Sequence, residues 1–273
     1  MSNSQTQKEQ IADLYHRVAS TYGQIGPNIF AYAGQRLVER IAMAKGTRVL
    51  DVGAGRGANL FPAVEAVGPH GQVVGIDLAP RMVQETTAEI KRRNLSHVTM
   101  LSMDAEHLMF PDASFDYVLC GFAIFLFPHL EQALSEFFRV LRPGGKMGVT
   151  VAQDLDALSH WFGERITAYH QRYQFPLRAG GGKGSNYSDL PGNLTHAGFI
   201  DTEILQEQAD FVYADAQEWW NARWTHGPRY ALEHMEPLVL AQFKTEVFDQ
   251  LAQEAQSHGI HETLRLQYIL ANK

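Results

Sequence analysis

Between residues 47 and 151 the sequence alternates short apolar runs with segments of helical periodicity. The helical pattern is clearest at 80–94 and 130–141, where apolar residues recur on one helix face. The apolar runs are typical of buried strands and cover 47–53, 71–78, 98–104, 115–122 and 146–151. Strands that alternate with helices predict an α/β fold with a parallel sheet covered on both faces.

The two ends of the chain lack this alternation. Residues 1–10 are predicted to fray, and 11–44 to form helices with a break around Gly23, Gly26 and Pro27. After residue 152, further strands are predicted at 198–214 and 262–272. We expect three parts in the chain: an N-terminal helical cap at 1–44, a sheet domain at 45–273, and cap insertions in that domain at about 153–195 and 215–260.

Charge and composition exclude several classes of function. The net charge of -7 argues against a nucleic-acid partner, because such proteins need a basic surface to meet phosphates. No apolar run approaches the roughly 20 residues that span a bilayer, so we expect no membrane partner. A single cysteine and a polar N-terminus without a signal pattern predict a cytoplasmic location. The twelve histidines form no metal-binding motif, so no metal is expected.

The stretch "LDVGAGRGAN" at 50–59 follows the first apolar run and fits two different cofactors. Gly53, Gly55 and Ala58 match the dinucleotide pattern G-x-G-x-x-[G/A]. Asp77 follows 20 residues after Gly57, where an acid would hold a ribose. An NAD-dependent oxidoreductase is therefore compatible with this pattern.

Three aspartates favour a different cofactor, S-adenosyl-L-methionine (SAM). Asp51 directly precedes the glycines, where a carboxylate would repel a pyrophosphate but would suit the ammonium group of a methionine. Asp77 and Asp104 end the next two predicted strands, where they could hold a ribose and an adenine amino group. Successive acids for an amine, a ribose and an adenine describe SAM better than NAD.

Four stretches, the glycine-rich one among them, carry a family resemblance. The sequences "VLDVGAGRG", "GIDLAPRMV", "DAEHLMFPDASFDYVLCGFAI" and "LSEFFRVLRPGG" resemble the successive motifs of class I SAM-dependent methyltransferases. They are most similar to the small-molecule group typified by the menaquinone and ubiquinone biosynthesis methyltransferases. The resemblance covers roughly 45–152 and implies a doubly wound, mostly parallel seven-stranded sheet, a Rossmann-like fold.

The same resemblance implies roles for particular residues. The methionine end would be held by Asp51, Gly53 and Gly55, and the ribose by Asp77. Further cofactor contacts are implied for Leu78 and Ala105 beside the adenine, Asp104 on its edge, Gly121 and Phe122 near the sulfonium, and Tyr15 and Tyr22 in a segment that closes over SAM.

The acceptor is less constrained than the cofactor. The segment "GFAIFLF" at 121–127 is apolar where family members often carry polar residues, which favours a hydrophobic or aromatic small molecule. His129 is the best-placed candidate for a general base, followed by His160 and His170. The expected activity is methyl transfer to an O, N or C atom of such a metabolite, and the sequence leaves a homo-oligomer open.

Other functions remain as alternatives at this stage. An NAD-dependent oxidoreductase would use the same glycines, and a SAM-binding cyclase could use the same fold without methylating. A nucleic-acid methyltransferase is disfavoured by the acidic charge. The run "GGGKGS" at 180–185 does not fit a phosphate loop, since no strand leads into it, and is expected to form a lid or a disordered loop.

Overall fold

A computed structural model of the chain describes residues 3–179, 189–255 and 257–273. The chain divides into two compact units. Unit 1 comprises Met1–Ile29, Ala152–Gly182 and Glu207–Leu266, and unit 2 comprises Phe30–Val151, Lys183–Gln206 and Gln267–Lys273. The segment 180–185 lies outside the described residues.

Seven strands form one sheet. Their bounds are β1 Arg48–Val52, β2 Gln72–Asp77, β3 Val98–Ser102, β4 Phe115–Gly121, β5 Leu141–Leu155, β6 Ile200–Tyr213 and β7 Ile260–Asn272. The strand order is β3-β2-β1-β4-β5-β7-β6, and the pairs β1–β2, β1–β4, β2–β3 and β4–β5 are parallel. This is the doubly wound, mostly parallel sheet expected from the sequence.

Strand β7 runs antiparallel to β6. His261, near its start, lies beside Asp210 near the end of β6, whereas Asn272 at its end lies beside Asp201 near the start of β6. An antiparallel strand close to one edge accommodates the end of the chain without a further crossover helix.

Ten helices accompany the sheet within the described ranges. Their bounds are α1 Asn3–Val18, α2 Ile29–Ile41, α3 Leu60–Val67, α4 Pro80–Arg92, α5 Leu130–Val140, α6 Ala157–Tyr173, α7 Leu190–His196, α8 Ala216–Arg223, α9 Arg229–Glu233 and α10 Pro237–Glu254. The break predicted near Gly23 and Pro27 separates α1 from α2, and Pro228 and Pro237 lie at the starts of α9 and α10, as their fixed φ favours.

Each unit has its own core. In unit 2 the inward faces of β1, β4 and β5 pack on α5, whose Leu134 and Phe137 are fully buried. In unit 1 the core is rich in aromatic residues and centres on Trp219 and Phe243, both fully buried. The apolar periodicity that identified the sheet strands therefore corresponds to real burial.

Three boundaries differ from the sequence-based expectation. Residues 1–10 were expected to fray, yet α1 already begins at Asn3. Strand β3 ends at Ser102, two residues before its predicted end. Strand β5 begins at Leu141, before its predicted start at residue 146, and its pairing with β4 is irregular between Phe115 and Tyr117. The "RPGG" turn is thus part of an irregular strand start.

Candidate functional site

The loop after β1 forms the centre of the candidate site. Gly53, Gly55 and Gly57 have φ angles of 65°, 51° and 86°, a region that residues with a Cβ rarely adopt. The N–H of Ala54 donates to the carbonyl of Ile76 at 2.9 Å, which ties this loop to β2. Because glycines carry no side chain, a ligand can approach the backbone of this loop closely.

Asp51, the acid expected to face the methionine end of SAM, is completely buried in β1. Its Oδ1 accepts a hydrogen bond of 3.0 Å from Nδ2 of Asn59. Its Oδ2 has no hydrogen-bond partner among the residues that the structure describes. Burial, with a smaller contribution from the Asp77 carboxylate, raises the pKa of Asp51 to about 7, although the Asn59 amide and the Leu60 N–H oppose the rise. A buried oxygen that lacks a donor fits the ammonium of SAM, which would supply one.

Asp77, the predicted ribose ligand, is the last residue of β2. Its Oδ2 accepts from the N–H of Gly55 and its Oδ1 from the N–H of Ala79, both at 2.9 Å. Burial raises the pKa of this carboxyl, and the same backbone hydrogen bonds oppose the rise. Each carboxylate oxygen keeps lone-pair capacity for a ribose hydroxyl. Leu78, expected beside the adenine, follows directly and is half-buried.

Asp104, the predicted adenine ligand, lies two residues after β3 instead of at its end. Its Oδ1 accepts from the N–H of Glu106 at 3.0 Å, and Nδ1 of His107 lies 3.5 Å from its Oδ2. Ala105 between them is buried. The carboxylate therefore stabilises its own turn through a hydrogen bond of the Asx-turn type. Its contact with the adenine stays a prediction.

The segment after β4 lies beside the glycine loop. Gly121 ends β4, and Phe122 follows with a φ of 53°. A Cβ placed on Gly53 would come within 2.5 Å of the Cβ of Ala123, so the ends of β1 and β4 are in contact. The strand order reverses between these two strands, and doubly wound sheets bind ligands at such a crevice.

His129, the first candidate for a general base, belongs to the same unit. It is exposed at the N-cap position of α5. Its backbone N–H donates at 2.8 Å to Oε1 of Glu106, a carboxylate that is almost fully buried. The turn after β3 and the start of α5 are thereby joined.

Four other predicted residues lie in unit 1 and are described within it. The rings of Tyr15 and Tyr22 pack edge to face, with centroids 6.0 Å apart. His160 is exposed on α6, with its Nε2 at 3.2 Å from Oε1 of Glu164. Nδ1 of His170 is hydrogen-bonded to the backbone carbonyl of Phe175. A role in closing over SAM or in removing a proton stays a prediction for these residues.

Two residues at this site were missed by the sequence reasoning. Asn59 donates to Asp51, and Oγ1 of Thr86 donates to the carbonyl of Gly55 at 2.6 Å from a buried position on α4. Nothing in the glycine pattern identifies either residue. A polar residue on the apolar face of α4 was the available signal for Thr86, since such a position is buried only with a partner.

The described part of the chain adds two negative findings. No group of three or more His, Cys, Asp or Glu residues in it could hold a metal ion. No helix in the same described ranges is long and apolar enough to cross a membrane.

Known proteins resemble this chain in sequence. A family model described as a methyltransferase domain matches residues 49–145. Nocamycin O-methyltransferase from Saccharothrix syringae is 32% identical over 274 residues, an alignment that covers 94% of this chain and 96% of that protein. The match therefore extends over both units and not only over the sheet motifs.

Two other relatives match a shorter region. Aklanonic acid methyltransferase DauC from Streptomyces sp. (strain C5) is 40% identical over 143 residues, which cover 52% of this chain and 65% of that protein. Demethylmenaquinone methyltransferase from Anoxybacillus flavithermus is 33% identical over 147 residues, covering 52% of this chain and 62% of that protein. The second is a member of the group suggested by the motifs.

Solved structures share the fold. The YcgJ protein from Bacillus subtilis superposes with a TM-score of 0.60 and 21% identity, over 89% of this chain and 98% of that one. At this identity the likeness concerns the fold alone.

Proposed function

This chain belongs to the class I SAM-dependent methyltransferases that act on small molecules, and from that premise we propose that it methylates a hydroxyl oxygen of a planar, largely apolar metabolite. The observation that carries the proposal is the end-to-end similarity to nocamycin O-methyltransferase. A relative named as a methyltransferase of aklanonic acid, matched over about half of this chain, adds support for a small-molecule acceptor that carries an acid group. An NAD-dependent oxidoreductase and a non-methylating cyclase are not favoured by these relatives.

The segment after β4 supports an apolar acceptor. Phe122 has a φ of 53°, a conformation that a bulky side chain adopts only at a cost of roughly 1–2 kcal/mol. Its half-buried ring packs edge to face against Phe30, with centroids 5.4 Å apart. Strain held at the end of β4 is typical of a functional position. We propose that this aromatic pair forms part of the acceptor surface.

Methyl transfer from SAM requires the protein mainly to position the two reactants. SAM supplies a methyl group on a positively charged sulfur, which is transferred by in-line displacement. Asp51 and Asp77 would hold the ammonium and the ribose, and the glycine loop would admit the methionine end. Asp104, Leu78 and Ala105 are proposed around the adenine. A ligand fixed at these points leaves the methyl group in one orientation.

Proton removal from the acceptor hydroxyl is assigned to His129. A neutral imidazole can accept a proton near pH 7, and His129 is exposed in the same unit as the proposed cofactor residues. His160 and His170 are the alternatives. In His170 the hydrogen bond from Nδ1–H to the Phe175 carbonyl leaves Nε2 as the nitrogen that could accept the proton.

We further propose that the enzyme works in the cytoplasm and not on nucleic acid. The net charge of -7 opposes phosphate binding, and the single cysteine is buried as a free thiol, which suits a reducing compartment.

A direct assay tests the acceptor class. Purified protein is incubated with SAM and a panel of hydroxylated planar aromatics, together with matched amines and the same compounds with the hydroxyl removed. We expect S-adenosylhomocysteine and a product carrying a methoxy signal in NMR, from hydroxylated members only. Methylation of the amines or of carbon, with no methoxy product, would contradict O-methylation while leaving the family assignment intact.

A further inference from the structure

Asn59 departs from what an asparagine at its position normally does. It occupies the N-cap position of α3, yet its side chain makes no hydrogen bond to the first turn of that helix. Capping by asparagine typically stabilises a helix by about 1 kcal/mol. Asn59 is almost fully buried and instead directs its Nδ2 to Oδ1 of Asp51 at 3.0 Å. The side chain thus forms a hydrogen bond within the candidate site and does not cap its own helix.

The amide of Asn59 is also fixed from its other side. A Cβ placed on Gly121 would lie 2.7 Å from both Nδ2 and Oδ1 of Asn59. Only glycine at the end of β4 leaves room for an amide there. The amide therefore lies between the end of β4 and the carboxylate of β1, and its hydrogen bond is the one to Asp51.

We propose that Asn59 is a positioning residue for the cofactor, which keeps the Asp51 carboxylate charged and oriented so that its Oδ2 receives the ammonium of SAM. The groups that face Asp51 are the Asn59 amide, the Leu60 N–H, the Asp77 carboxylate and the Cys120 thiol. The Asn59 amide is the side-chain donor in this group. Without it, burial and the neighbouring Asp77 charge both favour the protonated acid, which cannot pair with an ammonium.

The test is the pH dependence of SAM affinity, measured by calorimetry from pH 6 to pH 9. Asn59→Leu keeps the branched shape of the side chain and removes its donor. We expect the pH below which affinity is lost to rise by about one unit. SAM binding should then weaken about tenfold at pH 6, about fivefold at pH 7 and hardly at all at pH 9. Gly121→Ala, which displaces the same amide, is expected to produce a similar shift.

A structural role alone gives a different result. If Asn59 only supported the fold, both variants would weaken SAM equally at every pH, and an unchanged pH profile would overturn the proposal. Thr87→Val, on the half-buried part of α4, is the matched control and should leave the profile of the wild type.

A second, independent observation concerns a cleft within unit 1. Helices α8 to α10 line a cavity of about 500 Å³ with mainly apolar walls, formed in part by Trp220, Trp224, Met235 and Leu240. The two indole rings are 6.2 Å apart at 68°. Trp220 is almost fully buried and Trp224 is half-buried, so Trp224 is the more accessible aromatic wall. An exposed indole face can pack against a flat ring system.

In the part of the chain that the structure describes, the cleft contains one acidic and one basic side chain, of which only the acidic one is in an ion pair. Glu233 is among the lining residues, but its carboxylate is paired with both Arg17 and Arg229. Lys244 also lines the cleft, with its Nζ 5.0 Å from the ring centroid of Phe248 and 5.8 Å from that of Trp220. Within the described ranges no carboxylate forms an ion pair with Lys244. The cleft therefore combines aromatic walls with an ammonium that lacks an anionic partner.

We infer that this cleft binds a planar aromatic ligand that carries an acid group, with its ring system against the indole of Trp224 and the anion at Lys244. The inference concerns unit 1 alone and does not depend on whether the ligand is methylated. Charge and shape together select this class, since an apolar flat molecule would leave the ammonium unpaired and a small anion would leave the indole of Trp224 uncovered.

The probes are anthraquinone-2-carboxylate and its neutral analogue 2-(hydroxymethyl)anthraquinone, titrated while tryptophan fluorescence is followed. The carboxylate should quench the fluorescence saturably. Lys244→Met should weaken its binding about tenfold, the effect of one partly desolvated ion pair, and should leave the neutral analogue unchanged. Lys91→Met, on exposed α4 in unit 2, is the matched control.

Two results would overturn the inference. One is the absence of saturable quenching by the carboxylate. The other is equal binding of the carboxylate by Lys244→Met and by the wild type, which would mean that the ammonium plays no part. Normal binding of the neutral analogue by Lys244→Met shows that this variant is folded. Trp224→Leu should weaken both probes alike, and unchanged binding of both by this variant would also overturn the inference.

Discussion

The N–H of Gly55 donates at 2.9 Å to Oδ2 of Asp77, which joins the glycine loop to the end of β2. The other oxygen of the same carboxylate accepts from the N–H of Ala79 at the start of α4. Asp77 thus orders the backbone around the candidate site, and it is also the predicted ribose ligand. A carboxylate held by two backbone donors is already oriented before any ligand arrives.

Removing this carboxylate should affect both binding and stability. For Asp77→Ala we expect SAM affinity to fall on the order of 100-fold and the free energy of unfolding to fall by about 1–3 kcal/mol, since two backbone donors lose their acceptor. Calorimetry and urea unfolding measure the two effects. Glu131→Gln, which removes an exposed charge from α5, should change neither; an affinity unchanged in Asp77→Ala would refute the ribose role.

Thr86 supports the same loop from α4. Its hydroxyl donates to the Gly55 carbonyl at 2.6 Å, and Thr86→Val removes the donor while keeping the shape. We expect a loss of about 1–2 kcal/mol in unfolding free energy and a several-fold weaker affinity for SAM. Thr87→Val on the same helix is the control. Equal stability of the two valine variants in urea would show that the hydroxyl contributes nothing.

Much of the fold could be predicted because strands of a parallel sheet leave a simple pattern. The runs that end at Val52, Asp77 and Gly121 are apolar on both faces and are separated by helical periodicity. The irregular start of β5 was missed, because "RPGG" combines residues that ordinarily end an element. Leu141 before it and Lys146 after it pair with β4, and the N–H of Gly144 donates to the carbonyl of Lys273. Local propensity does not encode these tertiary contacts.

The candidate site was predictable only in part. Asp51 and Asp77 follow from their order along the strands, and the structure brings them to neighbouring strands beside the same loop. Asn59 was not predictable, because its contact with Asp51 depends on a side-chain direction that the usual N-cap preference contradicts. Thr86 lies 31 residues from Gly55, so no local pattern connects them.

The buried Asp51 carboxylate should lower the stability of the SAM-free protein while it strengthens the binding of SAM. Its pKa is raised from 3.8 to about 7 in the folded state, so the folded protein binds more protons than the unfolded chain between these values. Stability is therefore lost as the pH rises through 7. Compared with conditions in which Asp51 is protonated in both the folded and the unfolded state, we expect it to destabilise the SAM-free protein by about 4 kcal/mol at pH 8 and by about 2 kcal/mol at pH 5.5.

Asp51→Asn keeps an acceptor for Asn59 and removes the buried charge. In urea unfolding without SAM, this variant should be more stable than the wild type, with a larger difference at pH 8 than at pH 5.5. Its SAM affinity should fall steeply, because the ammonium loses its anionic partner. If the variant bound SAM normally, the role assigned to Asp51 would be wrong whether or not the stability prediction held, and the two measurements separate these cases.

The buried pair of Arg223 and Glu262 allows a last prediction, within unit 1. Nη2 of Arg223 lies 2.5 Å from Oε2 of Glu262, and both side chains are nearly inaccessible. Attraction between the two charges lowers the pKa of Glu262 against the effect of burial.

Glu262→Gln leaves a buried unpaired guanidinium and should cost about 3–5 kcal/mol of unfolding free energy, whereas Glu262→Met with Arg223→Met should cost much less. Urea unfolding compares these with Arg265→Gln, whose pair with Asp154 is exposed and 3.7 Å long and should contribute almost nothing. A double variant as unstable as Glu262→Gln would show that the site requires the ion pair itself and not only the absence of an unpaired charge.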